Sequence, residues 1–284
     1  MSGLRWGERT WVMGIINLTP DSFSGDGIAP PGRSQAEIVT AALGQARGFV
    51  DAGAEILDVG AESSRPAQFY GEHPELDPEA EAAIVVPVVD ALARTFAGRA
   101  WVSIDTTKGV VADMALDAGA TIVNDVWGGR RDHGTFDAAA RAGSHLVLMH
   151  NKDEADYPGG VFDEVVAWLR SAVEDAMAAG IRRERLIVDP GIGFGKTAAH
   201  SIELLHRLSE LKAALDGLPL LVGTSRKRFL GELLGGPPPD ERLEGTAASV
   251  ALAIASGVDI VRVHDVVPIA RVVRVADGIV RWRG

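Results

Sequence analysis

The chain has 284 residues, with 28 Lys and Arg against 39 Asp and Glu, so its formal net charge is −11. A net charge of that sign disfavours nucleic acid or an anionic membrane as a partner. Cysteine is absent, no apolar run approaches the ~18 residues that cross a bilayer, and the N-terminus lacks an apolar signal stretch, so we expect a cytoplasmic protein without disulfides or thiolate metal sites.

Short apolar segments rich in Val and Ile alternate with longer amphipathic segments along the chain. This composition is typical of parallel strands buried on both faces. The predicted strands are Trp11–Ile16, Glu55–Val59, Trp101–Ile104, Thr121–Val123, His145–Met149, Leu186–Val188, Pro219–Val222 and Asp259–Val263. Eight strands alternating with eight helices predict a single (β/α)8 TIM barrel over residues 1–284, because a doubly wound sheet more often has five or six strands.

Several helix ends are marked by local signals. Ser34 and Glu37 form a capping box before an apolar face, and Pro78 stands in the first turn of a second helix. Pro87 is expected to interrupt and kink that second helix, since proline removes a backbone donor. A later amphipathic helix is expected to stop at Gly180.

Polar side chains follow every predicted strand. In a (β/α)8 barrel the carboxyl ends of the strands meet at one mouth, where active sites lie. The residues at these positions are Asn17, residues 62–65, Asp105, Asn124, Asp125, His150, Asp189, residues 225–227, Arg262, His264 and Asp265. Helix capping explains one or two of them, such as Asp265, but not cationic Lys227 or Arg262, which have no acceptor for a helix N–H. The pattern predicts a functional mouth.

The predicted mouth contains two kinds of group. Asp105, Asn124 and Asp189 suit a flat heterocycle that carries N–H groups, because a carboxylate pairs with adjacent ring N–H and amino donors. Cationic donors suit phosphate and carboxylate oxygens; they are Arg65, Lys227, Arg262 and His264. The basic run 226–228 is equally compatible with a solvated helix start.

Other site classes fail on specific residues. A Walker A loop ending at Thr197 would need glycine where Pro190 stands, and no Gly-x-Ser-x-Gly elbow occurs. The seven histidines show no zinc-ligand spacing.

The ordered motifs resemble those of dihydropteroate synthases over nearly the whole chain. They are residues 13–24 (MGIINLTPDSFS), 62–66 (ESSRP), 103–106 (SIDT), 123–125 (VND), 189–196 (DPGIGFGK), 225–227 (SRK) and 262–264 (RVH). The chain departs from the family pattern after Met149-His150, where Asn151–Asp156 replaces the usual Gly-Thr-Pro loop. This departure concerns loops rather than the pterin positions.

The resemblance implies a role for each matching residue. The pterin would be bound by Ser64, Asp105, Asn124, Met149, Asp189, Phe194 and Lys227, of which Asp105 and Lys227 are the catalytic candidates. The diphosphate would be bound by Asn17, Arg262 and His264, with Mg²⁺ at Asn17. The p-aminobenzoate subsite would be framed by Phe23, Arg65, Pro66, Ser225 and Lys227.

The implied reaction is displacement of pyrophosphate from a dihydropterin diphosphate by p-aminobenzoate, catalysed by a homodimer. Two alternatives share part of the pattern. A methyltetrahydrofolate–corrinoid methyltransferase would keep the pterin residues but has no need of residues 225–227 or 262–264. A non-catalytic pterin-binding paralogue would be expected to lose Lys227 or the 189–196 loop, and both are present.

Overall fold

The computed structural model describes residues 4–19, 27–29, 32–62 and 76–282. Within these ranges eight parallel strands form one sheet in the order β6-β5-β4-β3-β2-β1-β8-β7. The strands are β1 (Trp11–Asn17), β2 (Ile56–Gly60), β3 (Trp101–Asp105), β4 (Ile122–Asp125), β5 (His145–Met149), β6 (Leu186–Asp189), β7 (Leu221–Val222) and β8 (Ile260–Val263). A bridge between Val188 and Leu220 joins β6 to the segment before β7 and closes the barrel. The predicted TIM-barrel fold is confirmed.

The predicted strand ends lie within two residues of the observed ones. The largest difference at a strand start is in β7, which begins at Leu221 rather than Pro219. Proline has no N–H to give to a ladder, and Leu220 forms only the isolated bridge, so the regular strand starts late.

Ten α-helices surround the sheet in the described ranges. They are α1 (Gln35–Ala52), α2 (Pro78–Thr95), α3 (Gly109–Asp117), α4 (Gly134–Ala142), α5 (Val161–Ala178), α6 (Ala198–His206), α7 (Leu208–Ala214), α8 (Arg228–Leu233), α9 (Leu243–Ala255) and α10 (Val266–Val280). The prediction of eight helices was too low, because the segments after β6 and β7 each contain two. Among these described helices we find none with the length and apolar character needed to cross a membrane.

The local helix signals acted largely as predicted. The Ser34–Glu37 capping box is present at the start of α1, and Gly180, with φ of 96°, follows the end of α5. The predicted interruption at Pro87 does not break α2, which continues to Thr95. Val85 and Val88 on either side of this proline are fully buried, and this packing offsets the lost hydrogen bond.

The side chains inside the barrel change from apolar to polar along its axis. Every second residue of a barrel strand faces the interior. The amino-terminal part of the interior is filled by one cluster of Trp11, Met13, Ile56, Ile122, Val147, Ile187, Leu221 and Ile260. Two residues further along four of these strands stand Asp58, Asn124, Asp189 and Arg262. Because of this alternation, apolar side chains fill the amino-terminal end of the barrel interior, and polar side chains meet at its carboxyl-terminal end.

Candidate active site

A cavity opens at the carboxyl ends of the strands. Ten predicted site residues line it: Asn17, Asp105, Asn124, Met149, Asp189, Phe194, Ser225, Lys227, Arg262 and His264. The other four, Phe23, Ser64, Arg65 and Pro66, lie outside the described residues. The barrel thus gathers into one space residues at or just after the carboxyl ends of seven different strands.

A hydrogen-bonded network of four side chains lies in this cavity and beneath it. The Arg262 guanidinium donates from Nε to Asp58 Oδ2 and from Nη2 to Asp105 Oδ2, each at 2.6 Å. The Nδ2 amide of Asn124 donates to the same Asp58 oxygen at 3.1 Å. Arg262 was predicted at the diphosphate, and the structure places two of its nitrogens on carboxylates near the predicted ring-binding residues.

Asp58 was missed in the sequence, although it had a usable signal. It is the one charged residue within the β2 segment Ile56–Gly60, and its side chain is completely buried. A carboxylate is rarely buried unless it is paired, so a lone Asp in an apolar strand indicates a cationic partner. The partner itself, Arg262, lies 204 residues away along the chain.

Burial raises the pKa values of two cavity carboxylates, so both are stronger bases than an ordinary carboxylate. Burial raises the pKa of Asp105 to about 7, against the opposing charge of Arg262. Burial also raises the pKa of Asp189 to about 6, and the Gly191 N–H that donates to it at 2.7 Å opposes this rise. Lys227 and Arg262 further favour ionised Asp189. Perturbed carboxylates in a cleft are typical of functional sites.

One wall of the cavity is apolar. Val126, Met149 and Phe194 form a small buried cluster, separate from the main core, against which Trp127 packs. The Nζ of Lys227 lies 3.7 Å from the centroid of the Phe194 ring. A flat ring could lie against this wall while its polar edge meets the carboxylates, which is the common design of a heterocycle site.

Ser225 and His264 are in direct contact at another part of the cavity. The buried Ser225 Oγ accepts a hydrogen bond from the His264 backbone N–H at 3.2 Å. The same hydroxyl lies 3.0 Å from His264 Nδ1. This contact joins two predicted subsites, since Ser225 was assigned to the arylamine and His264 to the diphosphate.

In the basic run 226–228, the two arginines bond nearby acidic side chains, whereas Lys227 lies against the Phe194 ring in the cavity. Arg226 has a left-handed backbone, with φ of 61°, and its guanidinium bonds both carboxylate oxygens of Asp265, at 3.0 and 2.7 Å. Asp265 was expected to cap the next helix, but its side chain makes no capping bond to α10. Arg228 pairs with Glu232 one turn along α8, at 3.5 Å.

Two residues expected at the mouth serve instead as supports for the loops beside it. Asp125 accepts bonds from the backbone N–H groups of Trp127 and Gly129, both at 2.9 Å, and therefore shapes the loop after β4. His150 is buried, and its Nδ1 lies 2.8 Å from the ammonium of Lys196. Neither Asp125 nor His150 lines the cavity.

The comparisons with known proteins identify the family. The model of the pterin binding enzymes matches residues 13–264. The chain is 40% identical over 284 residues to dihydropteroate synthase of Bacillus subtilis, an alignment that covers 100% of this chain and 93% of that protein. It is 42% identical over 285 residues to dihydropteroate synthase of Synechocystis, covering 98% and 92%. This chain belongs to the dihydropteroate synthase family.

Solved structures of this family of transferases have the same fold. The enzyme from Clostridium difficile, crystallised in the presence of pteroic acid, superimposes with a TM-score of 0.88 and is 40% identical, covering 97% of this chain and 98% of that one. The Xanthomonas albilineans enzyme with 4-aminobenzoic acid gives a TM-score of 0.86 and 36% identity, covering 98% and 95%. Both likenesses extend over the strands whose carboxyl ends form the cavity.

Proposed function

We propose that this chain condenses 6-hydroxymethyl-7,8-dihydropterin diphosphate with p-aminobenzoate, giving 7,8-dihydropteroate and pyrophosphate in folate synthesis. The observation that carries the proposal is the combination, in one cavity, of Asp105, Asn124 and Asp189 with Arg262, His264 and Lys227. The first group suits a heterocycle edge and the second suits anionic oxygens. The ligands in the relatives' structures, pteroic acid and 4-aminobenzoic acid, support the same pair of substrates.

The reaction requires no covalent intermediate with the protein. The amine nitrogen of p-aminobenzoate forms a bond to the pterin methylene carbon while the carbon–oxygen bond to the diphosphate breaks. That electron pair leaves with pyrophosphate, and the nitrogen releases one proton. Catalysis then depends on placing the two substrates together and on stabilising charge as it develops.

The cavity geometry supports the proposed pterin roles. Asp105, Asn124 and Asp189 bind the donors and acceptors along the ring edge, and Met149 and Phe194 cover its face. Ionised Asp105 also favours the positive charge that develops on the pterin as the leaving group departs. Because this carboxylate is buried, its effect on that charge is greater than it would be in water.

The anionic groups of both substrates meet the cationic side of the cavity. Asn17, Arg262 and His264 bind the diphosphate. Among the bonds of the described residues, Arg262 uses Nε and Nη2, which leaves Nη1 for a leaving-group oxygen. Ser225 and Lys227 border the p-aminobenzoate subsite, together with Phe23, Arg65 and Pro66, for which the proposal rests on the motif match alone.

Magnesium fits the donor set at Asn17. Mg²⁺ prefers oxygen ligands and keeps several waters, so one protein oxygen beside two phosphates is enough. The side-chain oxygen of Asn17 borders the cavity and accepts one bond, from the Thr19 N–H at 3.2 Å, which leaves it a second lone pair. Over the described ranges, no cluster of three acidic or histidine side chains is placed to bind a metal without substrate. Bound Mg²⁺ would neutralise negative charge on the leaving diphosphate.

We also propose a cytoplasmic homodimer. The complete lack of cysteine suits a reducing compartment. The neighbouring helices α9 and α10 expose Leu252, Val275 and Ile279 by 70%, 64% and 72%, and such apolar surface is typical of an interface. Light scattering on the purified protein measures the oligomeric state directly, and Leu252→Asp is expected to shift it towards monomer.

One assay tests the proposed reaction. The purified protein is incubated with the dihydropterin diphosphate, p-aminobenzoate and Mg²⁺, while pyrophosphate and the condensed product are both followed. We expect the two products to form in equal amounts and chelation of Mg²⁺ to slow both sharply. Lys227→Ala is expected to lower turnover much more than Lys212→Ala, because Lys212 pairs with Asp259 at the start of β8, away from the cavity. Pterin binding without pyrophosphate release under any condition would overturn the proposal.

A further inference from the structure

Lys196 is a buried lysine whose bonding partners are all uncharged. Its side chain is 2% exposed. Its ammonium lies 2.8 Å from His150 Nδ1, 3.0 Å from the Phe194 carbonyl oxygen and 3.4 Å from the His150 carbonyl oxygen. In the part of the chain that the structure describes, it forms no ion pair with a carboxylate. Lysine is almost never fully buried without such a partner, so this arrangement calls for a specific role.

The contacts of Lys196 join two loops of the active site. His150 directly follows β5, whereas Phe194 and Lys196 lie in the loop after β6. The two loops also touch elsewhere, since a Cβ at Gly191 would collide with the His150 carbonyl oxygen. The ammonium therefore fastens the loop that carries Phe194 to the residue at the end of the neighbouring strand.

A second contact between the same loops is made by the segment that departs from the family pattern. Tyr157, just after that segment, donates from its hydroxyl to the Gly195 carbonyl at 2.8 Å. Its ring also packs near His150, with centroids 6.1 Å apart. The loop after β6 is thus held at two consecutive residues, through the carbonyl oxygens of Phe194 and Gly195.

The charges around Lys196 define the bond to His150. A protonated lysine has no acceptor and can only donate, so His150 Nδ1 must be the acceptor in this bond. Burial, together with the charge of Lys196, lowers the pKa of His150 to about 2, which keeps the imidazole neutral. Burial lowers the pKa of Lys196 to about 7; Asp189 opposes this change, whereas Lys227 and Lys152 add to it.

We propose that Lys196 is a positioning residue for the pterin, which acts by fastening the 190–196 loop to His150 and so fixing Phe194 and Asp189 around the ring. This inference rests on the proposed function, because it takes the pterin as the ligand of this wall. Lys196 does not itself have to touch the substrate. Its loss should weaken pterin binding selectively and leave the arylamine subsite at Ser225 unchanged.

The test compares Lys196→Met with the matched control Lys212→Met. Lys212 also donates to a backbone carbonyl, that of Gly257 at 2.6 Å, but it lies at the amino-terminal side of the barrel. Binding of 6-hydroxymethylpterin is measured by calorimetry, and KM for each substrate and the melting temperature are measured on the same preparations. We expect Lys196→Met to weaken pterin binding by about tenfold or more, with KM for p-aminobenzoate within about twofold of wild type. Lys212→Met should lower the melting temperature without weakening pterin binding.

A second pair of variants covers the case in which Lys196→Met does not fold. Asparagine at position 150 places an oxygen where His Nδ1 stands, whereas leucine removes the acceptor. His150→Asn should therefore retain most of the pterin affinity that His150→Leu loses. Equal pterin affinity in this pair, or equal weakening by Lys196→Met and Lys212→Met, would overturn the inference. Turnover of the wild-type protein tests the proposed function separately, because pterin binding can be measured whether or not the protein catalyses the reaction.

Discussion

Arg262 and Asp58 form an ion pair beneath the active-site cavity, with Arg262 Nε 2.6 Å from Asp58 Oδ2. Asp58 is completely buried and does not line the cavity, whereas Arg262 does. In the proposed reaction, Asp58 would therefore act on the substrate through Arg262 and through Asn124, which bonds the same oxygen of Asp58 at 3.1 Å. A single carboxylate below the site thus orients two side chains of different predicted subsites.

The first prediction concerns this carboxylate. Asp58→Asn is expected to lower turnover by about tenfold or more, because Arg262 and Asn124 lose their shared anionic acceptor. Stability should also fall, since removing one partner of a buried pair costs about 3 kcal/mol. Asp51→Asn is the control, because Asp51 pairs with Arg99 on the surface at 2.9 Å and such pairs contribute about 1 kcal/mol or less. Equal steady-state kinetics for the two variants would contradict the assigned role of Asp58.

The second prediction concerns Asp105. Asp105→Asn retains the shape of the side chain but removes the negative charge that we propose faces the pterin. We expect turnover to fall by about two orders of magnitude, as is found when an electrostatic group at the reacting centre is removed. Far-UV circular dichroism should remain that of the wild type. Turnover close to wild type in a folded variant would refute the catalytic assignment.

A third prediction is an acid limb in the pH profile. The pKa values of Asp105 and Asp189 are raised to about 7 and about 6, chiefly by burial. An ionised carboxylate can accept two pterin donors, whereas protonation turns one of its oxygens into a donor and removes the charge, so kcat/KM for the pterin should fall as pH falls through this range. The profile of kcat/KM reports the free enzyme, which is the state described here. An acid limb centred near pH 4, the range of ordinary carboxyl groups, would contradict this prediction.

The fourth prediction concerns the backbone of Arg226. Its φ of 61° places a residue other than glycine in the left-handed region, between Ser225 and Lys227. Arg226→Gly and Arg226→Ala both remove the ion pair with Asp265, but only glycine adopts this φ without strain. Arg226→Ala should therefore be less stable than Arg226→Gly by about 1 kcal/mol in the free energy of unfolding. Chemical denaturation of the two variants measures the difference, and equal midpoints would show that the turn carries no such strain.

Much of the site could be predicted from sequence because its elements are local. The strands are short apolar segments, and their alternation fixes which residues face the barrel interior. The polar residue at the end of a strand could therefore be assigned to the mouth, as it was for Asp105, Asn124 and Asp189. The ordered motifs added the family, and with it the two substrates.

The tertiary structure decided what each charged group bonds. Asp125, His150 and Asp265 stand at strand ends like true cavity residues, yet each bonds a neighbouring loop or side chain instead. The sequence did not reveal the role of Asp58, because its partner Arg262 reaches it only when β8 pairs with β1 in the folded barrel. Local sequence determines where a side chain points, since that depends on backbone periodicity. Which charge compensates a buried charge depends on contacts between residues far apart in the chain, and only the folded barrel brings those together.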